Sequence, residues 1–93
     1  MRTHRASMIH KIFTIYDCKA EAYLQPFYCA ARGQAIRMFT DTVNDPNTQF
    51  YRHSSDFTLF EIGEFDDSTA SIVMYESKLS LGLALEFKSV VEA

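Results

Sequence analysis

Only one stretch of this chain spaces its apolar residues as a helix does. Between Arg32 and Asp45, the residues Ala35, Ile36, Phe39 and Val43 recur at helical intervals and gather on one face. Gly33 and Gln34 open the segment without a strong capping residue. The run Asn44-Asp45-Pro46-Asn47 closes it, because proline disfavours a helical residue before it. Almost every other patterned segment reads as strand. One helix can cover one face of a sheet and no more. The expected fold is α+β, a small four-stranded antiparallel or mixed sheet with one helix on one face, in the order strand, helix, strand, strand, strand.

The strands follow from β-branched and aromatic content. Residues 8–17 (MIHKIFTIYD) form the first. One of its faces carries Ile9, Lys11, Phe13 and Ile15; the other carries Met8, His10, Ile12, Thr14 and Tyr16. Both are mostly apolar, as suits a central strand. Residues 18–24 are too short to assign, Pro26 interrupts regular structure, and 27–29 form a short extended piece. Residues 47–56 read as a polar loop whose Phe50 and Tyr51 fold back on the core. A second strand over 57–65 and a third over 69–75 make a hairpin around Asp66-Asp67-Ser68. Residues 76–80 connect to a fourth strand, where Leu81, Leu83, Leu85 and Phe87 alternate with smaller or polar residues.

A chain of 93 residues holds one domain. Its expected limits are 8–88, with a flexible arm at 1–7 and a frayed tail at 89–93. Eight Phe and five Tyr argue against disorder. The formal charge of −3 argues against a protein that coats nucleic acid with cations. That sum hides an asymmetry. Residues 1–45 hold six basic and four acidic side chains, whereas 46–93 hold three and eight. An anion-binding surface therefore belongs to the first half. Cys18 and Cys29 match no redox or zinc spacing and read as reduced thiols of a cytosolic protein, with Cys29 buried. No apolar run approaches the roughly 18 residues that span a bilayer, so no membrane partner is expected.

No catalytic motif is present, so the chain is not expected to be an enzyme or to carry a cofactor or metal. His53 and Asp56 read more simply as a loop contact than as a proton-transfer pair. Glu61, Glu64, Asp66 and Asp67 read as solubilising acids on a hairpin rather than a cation site. Arg37 and Asp41, four apart on the helix, read as an exposed ion pair. The alternative is that Arg37, Arg32 and the helix start attract phosphate. Lys19, Tyr23, Phe27, Tyr28 and Arg32 interleave cations with rings, the parts that hold single-stranded nucleic acid. Such rings also serve as core, and the two roles are compatible, with Phe27 inside and Tyr23 or Tyr28 outside.

Four blocks of sequence resemble one family. They are YDCKAEAYLQPF from Tyr16 to Phe27, AIRMFTDTVNDP from Ala35 to Pro46, TLFEIGEFDDSTA from Thr58 to Ala70, and Ser80-Leu81-Gly82. In this order they resemble the small nonstructural protein of gokushoviruses, microviruses with single-stranded DNA genomes. The resemblance spans residues 8–87. It implies a phage protein of the host bacterial cytoplasm that acts in single-stranded genome synthesis or packaging through DNA binding. It also implies that Lys19, Tyr23, Phe27, Arg37 and Asn44 could touch DNA. With the chain's own pattern, the candidate nucleic-acid residues are Lys11, Lys19, Tyr23, Phe27, Tyr28, Arg32, Arg37 and Asn44. The arm at 1–7 and Ala31 depart from the family pattern and put a phosphate site at the helix start in doubt. The expected partners are single-stranded DNA and further copies of the chain, as a homodimer or higher homo-oligomer, since one helix leaves a sheet face bare. The alternative is a non-enzymatic interaction module that engages a viral replication or procapsid protein, or a host factor.

Overall fold

The computed structural model describes residues 7–89. The expectations for the arm and for most of the tail fall outside these residues. The first strand, β1, spans Ile9–Asp17 and is central, as its two apolar faces require. A tight turn carries the chain into β2 (Ala22–Tyr23), and β3 (Phe27–Cys29) follows. Both pair antiparallel with the same edge of β1, so the stretch left unassigned from sequence completes one side of the sheet. On the other edge, β1 pairs with β4 (Phe57–Asp66), and β4 pairs with β5 (Ser71–Leu83). All pairings are antiparallel, and the path runs β2-β1-β4-β5 with β3 beside β1.

The long helix, α1, spans Arg32–Val43. Its N-cap, Ala31, makes no side-chain cap bond; instead the Gln34 side chain accepts from the Ala30 N–H at 3.1 Å. Asn44 ends the helix. Its amide donates to the carbonyls of Thr40 and Phe87, at 2.8 and 3.0 Å, and its side-chain oxygen accepts from the Ser89 N–H at 2.7 Å. The helix lays Ala35, Phe39 and Val43 on Phe13, Cys29, Phe57 and Leu59 of the sheet. Burying such side chains contributes roughly 1.5–3 kcal/mol for each large one.

Three expectations need correction. The loop over 47–56 contains a one-turn helix, α2 (Gln49–Arg52), capped by Thr48, whose hydroxyl accepts from the Tyr51 N–H at 3.3 Å. Phe50 does return to the core, where its ring lies 4.7 Å from that of Phe57, but Tyr51 is exposed. The third strand, connector and fourth strand of the sequence reading are one strand, β5. Its alternation ends at Gly82, which adopts φ of 139°. The next residues wind into α3 (Ala84–Phe87), and Phe87 folds onto Phe39 with ring centroids 5.5 Å apart. Among the described residues, the order of elements and the single helix of the sequence reading are therefore replaced by five strands with one long and two short helices.

Three register shifts interrupt the pairings: one leaves Leu81 unpaired between Ser80 and Gly82, and the other two meet at Ile62 and decide which side chains share a face around it. In β4, Phe13 faces Glu61 while the preceding residue, Ile12, faces Gly63, so Ile62 is bulged. In β5, Glu61 faces Leu79 while Gly63 faces Met74, so residues 75–78 bow out together. Gly63 permits the close approach here, since a Cβ on it would lie 2.5 Å from the Val73 carbonyl oxygen.

Candidate nucleic-acid interface

The three helices stack on one side of the sheet, and aromatic side chains line the other. Tyr16 and Tyr23 face each other across β1 and β2 with ring centroids 4.8 Å apart. Tyr23 also meets Phe60 edge-on at 5.9 Å, and the Lys78 ammonium sits 5.6 Å above the Tyr23 ring. Further along, Tyr28 meets Phe65 edge-on at 5.9 Å, and His10 lies beside Phe65 at 6.0 Å. The bulge at Ile62 explains why Phe60 and Phe65 share a side. Five residues apart in a regular strand, they would point to opposite faces. Between the two ring groups lie Ile12 and Thr14, both buried. The Thr14 hydroxyl is satisfied by the Leu24 carbonyl at 2.6 Å.

Tyr23 and Tyr28 are the rings open to solvent, at 46% and 50% of full exposure. Their strand partners, Tyr16 and Ile12, lie four residues apart on β1. That spacing sets the two rings roughly 14 Å apart along the sheet.

The other candidate residues are scattered. Phe27 is turned to the helix side, stacked on Phe13 at 5.6 Å and lining an apolar cavity of about 150 Å³ with Met38 and Phe50. Asn44 is spent on capping α1. Arg37 is exposed on α1, away from the rings, and no ion pair joins it to Asp41. Lys19 is exposed in the turn between β1 and β2, and its N–H is held by the Asp17 carboxylate at 3.0 Å. His53 and Asp56 are joined through the backbone, the Asp56 N–H donating to the His53 carbonyl at 2.9 Å.

Lys11 and Arg32 are engaged elsewhere, by a carboxylate that the sequence reading placed among surface acids. Glu61 is only 1% exposed. The Arg32 Nε donates to its Oε1 at 2.6 Å and the Tyr75 hydroxyl to its Oε2 at 2.5 Å. The Lys11 Nζ lies 3.9 Å from Glu61 and 2.9 Å from Glu64. Burial pushes the Glu61 carboxyl up, but the hydrogen bonds from Arg32 and Tyr75 and the charges of Arg32 and Lys11 outweigh it, leaving the group below its ordinary range. Burial, and then the Glu61 and Glu64 carboxylates, raise the Tyr75 phenol. Glu61 and Glu64 share these partners because the bulge at Ile62 brings residues three apart onto one face. The sequence did hold a signal, since Phe57, Leu59 and Glu61 alternate and so Glu61 takes an inward position. Lys78 carried none, because its ring partner is 55 positions away in the chain.

The fold and the ring-lined face describe a small α+β protein with one sheet face packed and the other open. No helix among the described residues is long and apolar enough to cross a membrane. The Phage ORF5 protein family matches residues 10–87, and the chain belongs to that family. No curated protein and no solved structure matches it.

Proposed function

We propose that this phage protein binds single-stranded DNA on the open face of its sheet and assists viral single-stranded genome synthesis or packaging in the host bacterial cytoplasm. One observation carries the reading: Tyr23 and Tyr28 stand half exposed on a sheet face whose remaining rings support them from beneath and beside. Bases stack on such rings for roughly 1–3 kcal/mol each, whatever their sequence. Lys78 above Tyr23 and Lys19 in the adjoining turn supply charge for the backbone. The resemblance to the gokushovirus nonstructural protein supports the choice of single-stranded DNA.

The test is fluorescence anisotropy of the full chain with a labelled single-stranded oligonucleotide. Two lysine–phosphate contacts give a log–log salt slope of about −1.4, or about seven-fold weaker binding between 50 and 200 mM salt. Tyr23→Ala with Tyr28→Ala lowers affinity at least ten-fold with the far-UV spectrum unchanged. Absence of binding at micromolar protein and low salt would sink the reading and leave the alternative, an interaction module for a viral or host protein.

A further inference from the structure

The outer edge of β5 differs sharply along its length. Near its C-terminal end the strand leads directly into α3, and a Cβ on Gly82 would lie 2.7 Å from the Phe87 ring. In the middle, residues 75–78 bow out, and Glu76 and Lys78 add charge there. Bulges and charged side chains are the usual means of preventing strand edges from pairing. The remaining part, 71–74, has neither. It reads Ser71-Ile72-Val73-Met74, and no strand among the described residues lies outside it. Ile72, Val73 and Met74 are 53%, 62% and 55% exposed, the most exposed run of large apolar side chains among the described residues.

We infer that this edge pairs with the same edge of a second copy of the chain, antiparallel, about a two-fold axis through Val73 perpendicular to the sheet. The register follows from the faces. Ile72 and Met74 lie opposite Phe65 and Gly63, on the open face, whereas Val73 lies opposite Glu64, on the helix side. Such an axis keeps each side chain on its own face. Ile72 then meets Met74 of the second copy, Met74 meets its Ile72, and Val73 meets Val73. Ser71 meets Tyr75, and Glu76 falls opposite Ala70, so no like charges oppose each other in the ladder. An unrelated strand would have to match both faces and this absence of charge; a second copy does so by symmetry. The joined sheet presents both sets of open-face rings on one side.

The contact is short and falls below the roughly 800 Å² per partner of a standard interface, so the dimer forms at micromolar concentrations and above. Sedimentation velocity of the full chain between about 5 and 500 µM tests this. Its weight-average mass should rise from monomer toward dimer. Val73→Lys sets two ammonium groups face to face and should hold the chain monomeric with an unchanged far-UV spectrum. A second measurement uses Cys18→Ser protein, which lacks the exposed native thiol. Adding Val73→Cys should give a covalent dimer on oxidation, because directly paired strand residues come within disulfide reach, and adding Leu79→Cys should not. A monomer across the whole range, a dimer unaffected by Val73→Lys, or equal cross-linking at both positions would overturn the inference. None of these readouts depends on DNA.

Discussion

Removing one hydroxyl tests how the buried carboxylate is held. Tyr75→Phe keeps the ring and deletes the donor that reaches Glu61 Oε2 at 2.5 Å. Glu61 is essentially inaccessible to water, so no water replaces that donor, and the Lys11 Nζ, 3.9 Å from the same oxygen, is already held by Glu64 at 2.9 Å. A hydrogen bond to a charged group contributes about 1.5–3 kcal/mol, and an unsatisfied buried acceptor sets the same scale, so the variant should lose about 2 kcal/mol. In a domain of this size that lowers the melting temperature by about 10 °C. The loss should depend on pH. The Glu61 carboxyl is held below its ordinary 4.5, so its charged form stabilises the fold at neutral pH, and that stability is lost as pH falls through the folded value. Once Glu61 is protonated, the Tyr75 bond is one between neutral groups, and the gap between wild type and variant should shrink to about 1 kcal/mol. Urea unfolding followed by circular dichroism, at pH 7 and in steps down through the acid range until the wild-type loss of stability levels off, reads both numbers. A gap at pH 7 below about 0.5 kcal/mol, or a gap that stays equal across that whole range, would refute the reasoning.

Two further outcomes follow from the geometry. Gly82→Ala should lower stability by roughly 1–3 kcal/mol in thermal melts, because φ of 139° strains any side chain and the new methyl would press on Phe87 at 2.7 Å. A wild-type melting temperature for this variant would mean that the turn into α3 is not anchored as described. Cys18 is exposed, whereas Cys29 is buried and burial raises its thiol pKa. A thiol reagent at neutral pH should therefore add once to the native chain and twice in denaturant, read by mass spectrometry; two rapid native additions would contradict the burial of Cys29.

Much of the candidate interface was legible in part. The interleaved cations and rings at 19–32 drew attention to Tyr23 and Tyr28, and the division of Phe27 inside from the tyrosines outside matches the structure. Lys11 and Arg32 could not be sorted the same way. Whether a cation is available depends on the carboxylate it meets, and theirs lies 50 and 29 residues further along the chain.

By itself the sequence determined what near neighbours can settle. The period of Ala35, Phe39 and Val43 and the stop at Pro46 placed α1, β-branched and aromatic content placed β1 and β4, and the two-residue period assigned the faces of β1. Tertiary structure decided the rest. Strand parity changes at Ile62, where the registers of β4 with both neighbouring strands shift, and no local pattern records that. The alternation from Leu81 to Phe87 suits a strand as well as a turn of helix. It becomes α3 because Gly82 can take a positive φ and Phe87 finds Phe39, 48 residues earlier in the chain. The long helix over a sheet was readable from one periodic segment; the two short helices, and which rings the bare face would gather, depended on contacts between distant parts of the chain.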